Sequence, residues 1–335
     1  MGTRPTEAAP PGTGIMHQFR FSDLDEFSGA LKHDSVEVVR LGPSGGLNGV
    51  DLIELPDMLV RLGHQETAWD CFAQTPDDAL SIVLIWGYGD EARMYGTAAQ
   101  DGTFTLSGPS SEFVSSVRSK GDYIFLPIPA KLLDERMLGD AAGDVMRSGF
   151  NLVGQASPSS MAMLRGTLEA MQHNAVALHG GVVDERMHRN MQNALLTAMH
   201  YVIRPELMRS DAQTKGLAQR TMMFRTALEQ LRSSEARPMD VFHICERLGI
   251  SEPELRALFL EFAGVHPIDM LQRFRMQRVH KVLLAGLEHP LAVVEAALNA
   301  GFWDMGRFNT EYLRVYGESP LETQKRSTGL VLQQA

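Results

Sequence analysis

The sequence has few of the residues that build disulfide frameworks, metal centres or membrane spans. Only two of its 335 residues are cysteine, Cys71 and Cys245, too few for a disulfide framework or a zinc site. No apolar run approaches the roughly 20 residues that span a bilayer, and the longest is the short segment 81–86. Arg4 is followed by Pro, Glu and Gly rather than by the apolar core of a signal peptide. These absences predict a cytoplasmic protein without membrane contact, metal or other cofactor.

Groupings of catalytic residues are equally scarce. A metal enzyme built on a β-barrel needs two or three His and an acid on neighbouring strands, but His17, His33 and His64 are scattered and form no His-x-His pair. The three histidines in 173–188 lack the i, i+4 spacing that places two imidazoles on one helix face. Neither Ser nor Cys lies in a nucleophile-elbow or Cys-His context. The sequence therefore predicts no enzyme activity, and an N-terminal enzyme fused to another domain is a remote alternative.

Charge is divided unevenly along the chain. The net charge of −10 argues against nucleic acid as a partner, because phosphate binding depends on concentrated Lys and Arg. Residues 1–212 hold 16 basic and 27 acidic side chains, whereas residues 213–335 hold 15 basic and 14 acidic ones. The acidity therefore belongs to the first part. The nearly neutral second part can bind DNA if its Arg side chains share a face.

The length of the chain predicts two domains, the first of them rich in β-strand. Residues 1–15 are rich in Pro, Gly and Ala and are predicted to be a disordered tail. Within 16–158, short apolar runs broken by Gly, Pro and Asp predict an all-β barrel or sandwich. The runs are VEVVRL, VDLIEL, MLVRLG, ALSIVLIWGYG, GTFTLSG and DYIFLPIP.

Residues 159–212 change to Met, Leu, Ala and Gln at helical intervals. A turn at Gly180 and Gly181 splits the segment, which predicts an antiparallel pair of helices. Each helix carries an apolar stripe that either packs on its own domain or forms part of a dimer interface, since Met adapts to irregular surfaces. The stripes are Met161, Leu164, Leu168 and Met171, and Met187, Met191, Leu195, Met199 and Val202.

A repeat with a period of 53 residues is the most informative feature of the sequence. In each copy an apolar i, i+4, i+7 helix face ends at Gly, and Pro follows three residues later. A short helix and a Gly turn precede each copy, at 239–249 and 291–301. A short helix, a Gly turn and a second helix form the helix-turn-helix pattern. The repeated residues are Leu255, Phe259, Phe262, Gly264 and Pro267, and then Phe308, Tyr312, Val315, Gly317 and Pro320.

The ends of the repeated helices carry capping signals. Ser251 can cap the first recognition helix, where Glu254 completes a Ser-x-x-Glu capping box around Pro253. Asp304 is the candidate cap of the second recognition helix. Between the units, residues 267–284 predict one helix of about 25 Å. Such a helix can hold two recognition helices near the roughly 34 Å spacing of successive major-groove segments on one face of DNA.

The C-terminal part resembles the double helix-turn-helix domain of AraC/XylS-family transcriptional regulators. The resemblance covers residues 217–326 and rests on the segment 250–284 and on the ending GF…G.F…Y…YGESP. The β-rich part followed by helices is similar to the XylS branch, in which the N-terminal domain senses a small effector and dimerises. The resemblance implies four partners, namely double-stranded DNA, RNA polymerase, a small-molecule effector and a second copy of the chain. It also implies activation of transcription more than repression.

The resemblance further assigns residues to DNA. Arg256 is the strongest reader, since its guanidinium can bond both O6 and N7 of guanine. The family often has Arg where this chain has Thr310 and a basic residue where it has Leu313, so the second unit is expected to bind largely through phosphate. The base-facing residues are Ser251, Pro253, Arg256 and Ala257 in the first unit and Met305, Gly306, Asn309 and Thr310 in the second. The phosphate candidates are Arg273, Arg275, Arg278, Lys281, Arg307 and Arg314. A merely solvated charged face is the ordinary alternative for the connecting helix.

Two groups of residues are candidates for binding an effector. The first combines aromatic and cationic side chains, and alternation predicts that Trp86 and Tyr88 share one strand face. The second consists of two arginines that could bind an anionic effector, such as a cyclic dinucleotide, between the domains. Ordinary core and surface positions, or a charged linker, are the alternatives. The first group is Trp69, Trp86, Tyr88 and Arg93, and the second is Arg204 and Arg209 on either side of Pro205.

The sequence thus predicts an α+β protein. An N-terminal β-barrel or cupin-like domain with a helical segment precedes an all-α double helix-turn-helix domain. The predicted divisions are a tail at 1–15, a sensor domain at 16–158, a dimerisation or linker segment at 159–212 and a DNA-binding domain at 213–326. The predicted function is sequence-specific regulation of transcription under control of a small effector. The alternative is a ligand-independent regulator whose N-terminal domain serves oligomerisation or partner binding.

Overall fold

The structure, a computed structural model, describes residues 16–21, 36–43, 46–89, 91–133, 138, 142–177, 185–208, 213–233, 241–285 and 291–332. The predicted tail at 1–15, the Gly180–Gly181 turn and Arg209 lie outside these residues. The strands are β1 Met16–Phe21, β2 Val36–Arg40, β3 Asn48–Glu54, β4 Leu59–Gln65, β5 Trp69–Gln74, β6 Ala79–Trp86, β7 Ala92–Met94, β8 Thr97–Ala99, β9 Thr103–Ser107, β10 Glu112–Val117, β11 Gly121–Pro129 and β12 Asn151–Gln155. The α-helices are α1 Ala142–Val145, α2 Pro158–Ala177, α3 Glu185–Leu207, α4 Gln213–Ser233, α5 Val241–Leu248, α6 Glu252–Ala263, α7 Pro267–Leu284, α8 Ala292–Asn299, α9 Met305–Tyr316 and α10 Pro320–Leu332. A 3-10 turn spans Ala130–Leu132.

The strands form two antiparallel sheets that pack face to face. One sheet has seven strands in the order β1-β3-β4-β11-β6-β9-β12, and the other has five in the order β2-β5-β10-β7-β8. Alternation along a strand sends side chains to opposite faces, so Val83 and Ile85 of β6 join the core between the sheets. Neither sheet closes on itself within the described ranges. The predicted fold class is confirmed in its sandwich form rather than as a closed barrel.

Strand β6 is apolar along its whole length because both of its faces are buried. Its Ile82 and Leu84 point away from the partner sheet into a second core, which α2 and α3 cover. The stripes predicted on these two helices lie in that core, where Leu164 and Leu195 are fully buried. Burying a Leu side chain contributes about 2 kcal/mol. The stripes therefore pack on the sandwich, and a homodimer, which stays a prediction, would use other faces.

The prediction that Trp86 and Tyr88 share one strand face is wrong. Strand β6 ends at Trp86, and Gly87 has a positive φ of 75° that breaks the alternation. Trp86 consequently packs at the side of α2, where the Arg165 guanidinium lies 6.0 Å from its ring. Tyr88 turns into the space between the sheets and donates a hydrogen bond of 2.8 Å to Gln65.

The helical part packs on the five-stranded sheet through a continuous apolar core. Phe224 of α4 lies at its centre, with its ring centroid 6.1 Å from that of Phe72 on β5. On the other side, the rings of Phe259 and Phe262 of α6 each lie 5.0 Å from it. The second helix-turn-helix unit has its own core around Phe308. The first unit is thus joined to the β-sandwich, whereas the second is held mainly through α7.

No helix in the described ranges is both long and apolar enough to cross a membrane. Within the same ranges, no group of three or more His, Cys, Asp or Glu residues is arranged to hold a metal ion.

Candidate nucleic-acid interface and effector cavity

Both recognition helices begin and end at the residues that their sequences indicate. The Ser251 hydroxyl accepts a hydrogen bond from the Glu254 amide, and the Glu254 carboxylate accepts one of 2.7 Å from the Ser251 amide. That amide holds the pKa of Glu254 below its usual value. In the second unit the Asp304 carboxylate accepts a hydrogen bond of 3.0 Å from the Arg307 amide. Each cap satisfies a backbone donor that has no partner inside the helix, which fixes where the helix starts.

Glycine is required where the recognition helices end. Gly264 and Gly317 have φ angles of 67° and 73°, the left-handed conformation that closes a helix and that side chains with a Cβ disfavour. The chain then turns into α7 and α10, each of which begins at a proline.

The first recognition helix, α6, separates cleanly into a buried and an exposed face. Leu255, Phe259 and Phe262 are fully buried. The four predicted base-facing residues, Ser251, Pro253, Arg256 and Ala257, are all exposed. Arg256 forms an ion pair of 2.5 Å with Glu252 one turn earlier. An exposed pair of this kind is worth less than about 1 kcal/mol, so the guanidinium can turn to another acceptor at little cost.

The second recognition helix, α9, exposes fewer long polar side chains. Gly306, Asn309 and Thr310 are exposed, whereas Met305 is half-buried against the core of the unit. The Thr310 hydroxyl donates to the carbonyl of Gly306 at 3.0 Å. Arg307 and Arg314 are exposed, and a hydrogen bond to Glu311 raises the pKa of Arg307. The exposed predicted base-facing residues of this helix have short side chains or none, so its long exposed polar groups are the two arginines assigned to phosphate.

The four cations predicted on the connecting helix α7 do not share one face. Arg278 and Lys281 are exposed. Arg275 is half-buried, and its guanidinium lies 3.4 Å from the position that a Cβ on Gly301 would occupy, so it packs on the turn of the second unit. Arg273 points to the β-sandwich, where its Nη1 donates to the Asp70 carboxylate at 2.6 Å. Burial lowers the pKa of Arg273, although the Asp70 charge opposes that shift.

Asp70, which sequence reasoning missed, is the centre of the contact between the sandwich and the helical part. Its side chain is fully buried, and it accepts hydrogen bonds from the Ser116 hydroxyl at 2.6 Å and from Arg118 at 2.9 Å in addition to Arg273. Arg118 also donates to the carbonyl of Ala263 at the end of α6, at 2.8 Å. A buried carboxylate is tolerated only when it is paired and hydrogen-bonded. An aspartate in the apolar stretch of β5 was the available signal.

Further polar contacts surround this centre. Arg225 of α4 forms an ion pair of 2.9 Å with Glu112, and Arg232 pairs with Glu37 on β2. The Gln277 side chain donates to the carbonyl of Val38 at 2.8 Å. These partners are far apart in sequence, so no local sequence pattern predicts the contacts. Together with the aromatic core they hold α4, α6 and α7 on the five-stranded sheet.

The space between the two sheets contains a cavity of about 100 Å³. Of the predicted effector residues, Trp69 and Tyr88 line it. Arg93 is exposed and donates to the carbonyl of Gly96 at 3.2 Å, and Arg204 is exposed near the end of α3. The predicted effector residues are therefore not brought together at one site. Other lining residues are Arg61, Cys71, Val83, Phe113, Ser115 and Phe125.

Comparison with known proteins agrees with the geometry of the C-terminal helices. Residues 244–326 match a helix-turn-helix domain family. A stretch of 148 residues is 30% identical to the probable thc operon regulatory protein of Rhodococcus erythropolis, covering 44% of this chain and 42% of that protein. The XylDLEGF operon transcriptional activator 2 of Pseudomonas putida is 24% identical over 133 residues, which cover 38% of this chain and 85% of that protein.

A solved structure adds a match of similar extent. A probable AraC family transcriptional regulator from Rhodopseudomonas palustris is 30% identical, with 32% of this chain covering 97% of that one at a TM-score of 0.30. The names of both curated relatives describe regulators of operon transcription. Residues 244–326 of this chain are therefore assigned to a helix-turn-helix domain family, and the chain spans less than half the length of the thc operon regulatory protein that it resembles.

Proposed function

We propose that this protein is an effector-controlled activator of transcription that binds its operator as a homodimer and recruits RNA polymerase. Residues 16–158 serve as the sensor, 159–212 as the dimerisation or linker segment and 213–326 as the DNA-binding domain. The activating role is supported by the Pseudomonas putida relative, which is itself a transcriptional activator.

The exposed face of α6 reads bases and the cations around it contact phosphate. Arg256 has the exposure and the loosely held ion pair that binding to guanine O6 and N7 requires. Pro253 and Ala257 lie on the same exposed face and provide apolar contacts in the groove. On the second unit, Arg307 and Arg314 bind phosphate, which fixes the register of α9 on the duplex.

The cavity between the sheets binds the effector. Its volume of about 100 Å³ approaches the 150 Å³ of an engineered apolar cavity that binds benzene. Aromatic and aliphatic side chains form most of its wall, and Arg61 and Tyr88 are among its polar lining residues. The expected effector is therefore a small, mostly apolar molecule of about one ring.

One observation carries the proposal that the effector controls DNA binding. Strands β5 and β10 lie between the cavity and the DNA-binding domain, and alternation gives each strand one face toward each. Trp69 and Ser115 face the cavity, whereas on the other face Asp70 accepts hydrogen bonds from Ser116 and from Arg273 of the DNA-binding domain. A molecule that moves these strands therefore acts directly on the docking of α7, which shifts the population of docked and released domains.

Release of the DNA-binding domain from the β-sandwich also increases the number of cations that are available to DNA. In the docked arrangement Arg273 is bound to Asp70 and is not available to a phosphate. A released domain gains this cation, and each additional phosphate contact steepens the dependence of log affinity on log salt by about 0.9. The effector is expected to favour the released, DNA-competent arrangement.

A thermal-shift experiment on the full chain tests effector control. Neutral and anionic single-ring compounds, such as phenol, benzyl alcohol and benzoate, are titrated, and the melting temperature is measured. A compound that binds the cavity is expected to stabilise the protein by about 2.7 kcal/mol at a hundred times its Kd, a rise of several degrees.

The control is Ser81→Leu, which fills the cavity from β6 at a hydroxyl that is buried and has no hydrogen-bond partner among the described residues. This variant is expected to fold and to show no shift. The compound must also change the affinity of the wild type for duplex DNA. Stabilisation without a change in DNA affinity would contradict effector control, and the absence of any shift would favour a ligand-independent regulator.

A further inference from the structure

Trp303 is the most exposed large apolar side chain in the described residues, with 83% of its surface open to solvent. It lies directly before Asp304, which caps the second recognition helix. Exposing an indole forgoes a burial that would stabilise the fold by several times the thermal energy. Trp303 is therefore exposed at a helix start where its burial would stabilise the fold.

The 53-residue repeat provides a comparison for this position. Trp303 corresponds to Ile250, and both residues immediately precede a helix cap. An apolar residue there ordinarily packs against the fourth residue of the helix, as a hydrophobic staple. In the first unit Ile250 is half-buried against the core that contains Leu255, as a staple requires.

In the second unit Phe302, and not Trp303, makes the hydrophobic-staple contact. The ring of Phe302 lies 5.0 Å from that of Phe308, the fourth residue of α9. The corresponding position in the first unit is Gly249, which cannot pack in this way. With the helix start already covered by Phe302, Trp303 makes no contribution to the core and points outward.

The surface around Trp303 indicates which partner covers it. The exposed residues that follow it are Asp304, whose carboxylate caps the helix, and then Gly306, Arg307, Asn309 and Thr310 on the proposed recognition helix. The first residues of a recognition helix are those that reach base edges. Gly306 has no side chain to obstruct the start of the helix, and Arg307 supplies a cation one turn after Trp303. The face is therefore continuous with the proposed DNA-binding surface, where Arg307 pairs with Glu311 through an exposed contact of 3.0 Å that a phosphate can replace.

We propose that Trp303 is a DNA contact of the second helix-turn-helix unit, with its indole packed against a thymine methyl group of the duplex. This inference rests on the proposed DNA-binding geometry and changes one part of it. The second unit lacks the arginine that the family often places at Thr310, and Trp303 supplies an apolar contact instead of a guanidinium. The second unit then reads sequence as well as phosphate.

Tryptophan fluorescence of the full chain tests the proposal. The chain has three tryptophans, of which Trp69 is buried and Trp86 half-buried in the sandwich. Duplexes enriched from a random-sequence library by the wild-type protein are titrated, while anisotropy of a labelled duplex reports binding. We expect quenching and a blue shift of the exposed emission, with reduced access of acrylamide to Trp303. Trp303→Ala is expected to weaken binding about tenfold, and Trp303→Phe less.

Trp86→Phe is the matched control, because this residue lies on the sandwich and its removal is expected to leave both the fluorescence change and the affinity intact. An unchanged emission and acrylamide access at saturating duplex would overturn the proposal while leaving DNA binding in place, and so would wild-type affinity in Trp303→Ala. If no duplex is enriched or bound at all, the proposed DNA geometry fails together with this contact.

Discussion

Asp70→Asn is expected to lower the free energy of unfolding by about 3 kcal/mol, the cost typical of breaking a buried ion pair from one side. The substitution keeps the size of the side chain and removes only its charge. Arg118 and Arg273, each with 23% of the side chain exposed, then lie at the interface without their counter-charge. Arg118 also loses a strong anchor for its contact with α6. Urea unfolding of the full chain, followed by tryptophan emission, measures the loss.

The control is Asp144→Asn. Asp144 pairs with Arg147 at 2.6 Å, but both side chains are more than half exposed, so the expected loss is below about 1 kcal/mol. Arg273→Gln is expected to fall between these values, because Ser116 and Arg118 still bind the carboxylate. Equal unfolding midpoints for Asp70→Asn and Asp144→Asn would show that the contact does not stabilise the docked arrangement.

Arg256→Ala is expected to reduce the preference for an enriched duplex over a mixed-sequence duplex by about five- to 150-fold, equivalent to about 1–3 kcal/mol for one bidentate contact to guanine. In the wild type, breaking the ion pair between Arg256 and Glu252 to contact guanine costs little free energy because both side chains are exposed. Fluorescence anisotropy at several salt concentrations measures the preference and the salt slope. The slope is expected to change little, since the phosphate contacts remain.

Arg278→Ala is the matched control for this experiment. It removes an exposed cation of α7 that is assigned to phosphate. Its expected effect is a similar weakening for both duplexes and a salt slope shallower by about 1. If Arg256→Ala behaved like Arg278→Ala, Arg256 would be a phosphate contact and not a reader of bases.

The features that the sequence predicts well are those decided within a few residues. The caps at Ser251 and Asp304 and the glycine ends at Gly264 and Gly317 depend on neighbouring backbone groups, so their signals lie in short segments. The same holds for α7, whose predicted bounds agree with the observed helix. The apolar faces of the recognition helices follow from helical periodicity alone.

The features that the sequence does not predict depend on partners far along the chain. Asp70 and Arg273 are 203 positions apart, so their pairing has no local signature. Strand β5 is absent from the predicted apolar runs because Asp70 interrupts it, and the helices that bury this carboxylate come much later in the chain. Trp86 and Tyr88 lie on different faces because Gly87 between them has a positive φ, which the pattern of apolar residues does not encode.

The shared contact at Asp70 also limits how freely the two halves of this protein could be exchanged with those of other regulators. A hybrid that joins this β-sandwich to a foreign DNA-binding domain would bury Asp70 against whatever residue stands in place of Arg273. A hybrid that joins this DNA-binding domain to a foreign β-sandwich would place Arg273 beside a strand that lacks the Asp70 carboxylate. A β-sandwich and a helical domain exchanged between proteins of this architecture therefore need a matched charge pair where the two pack together.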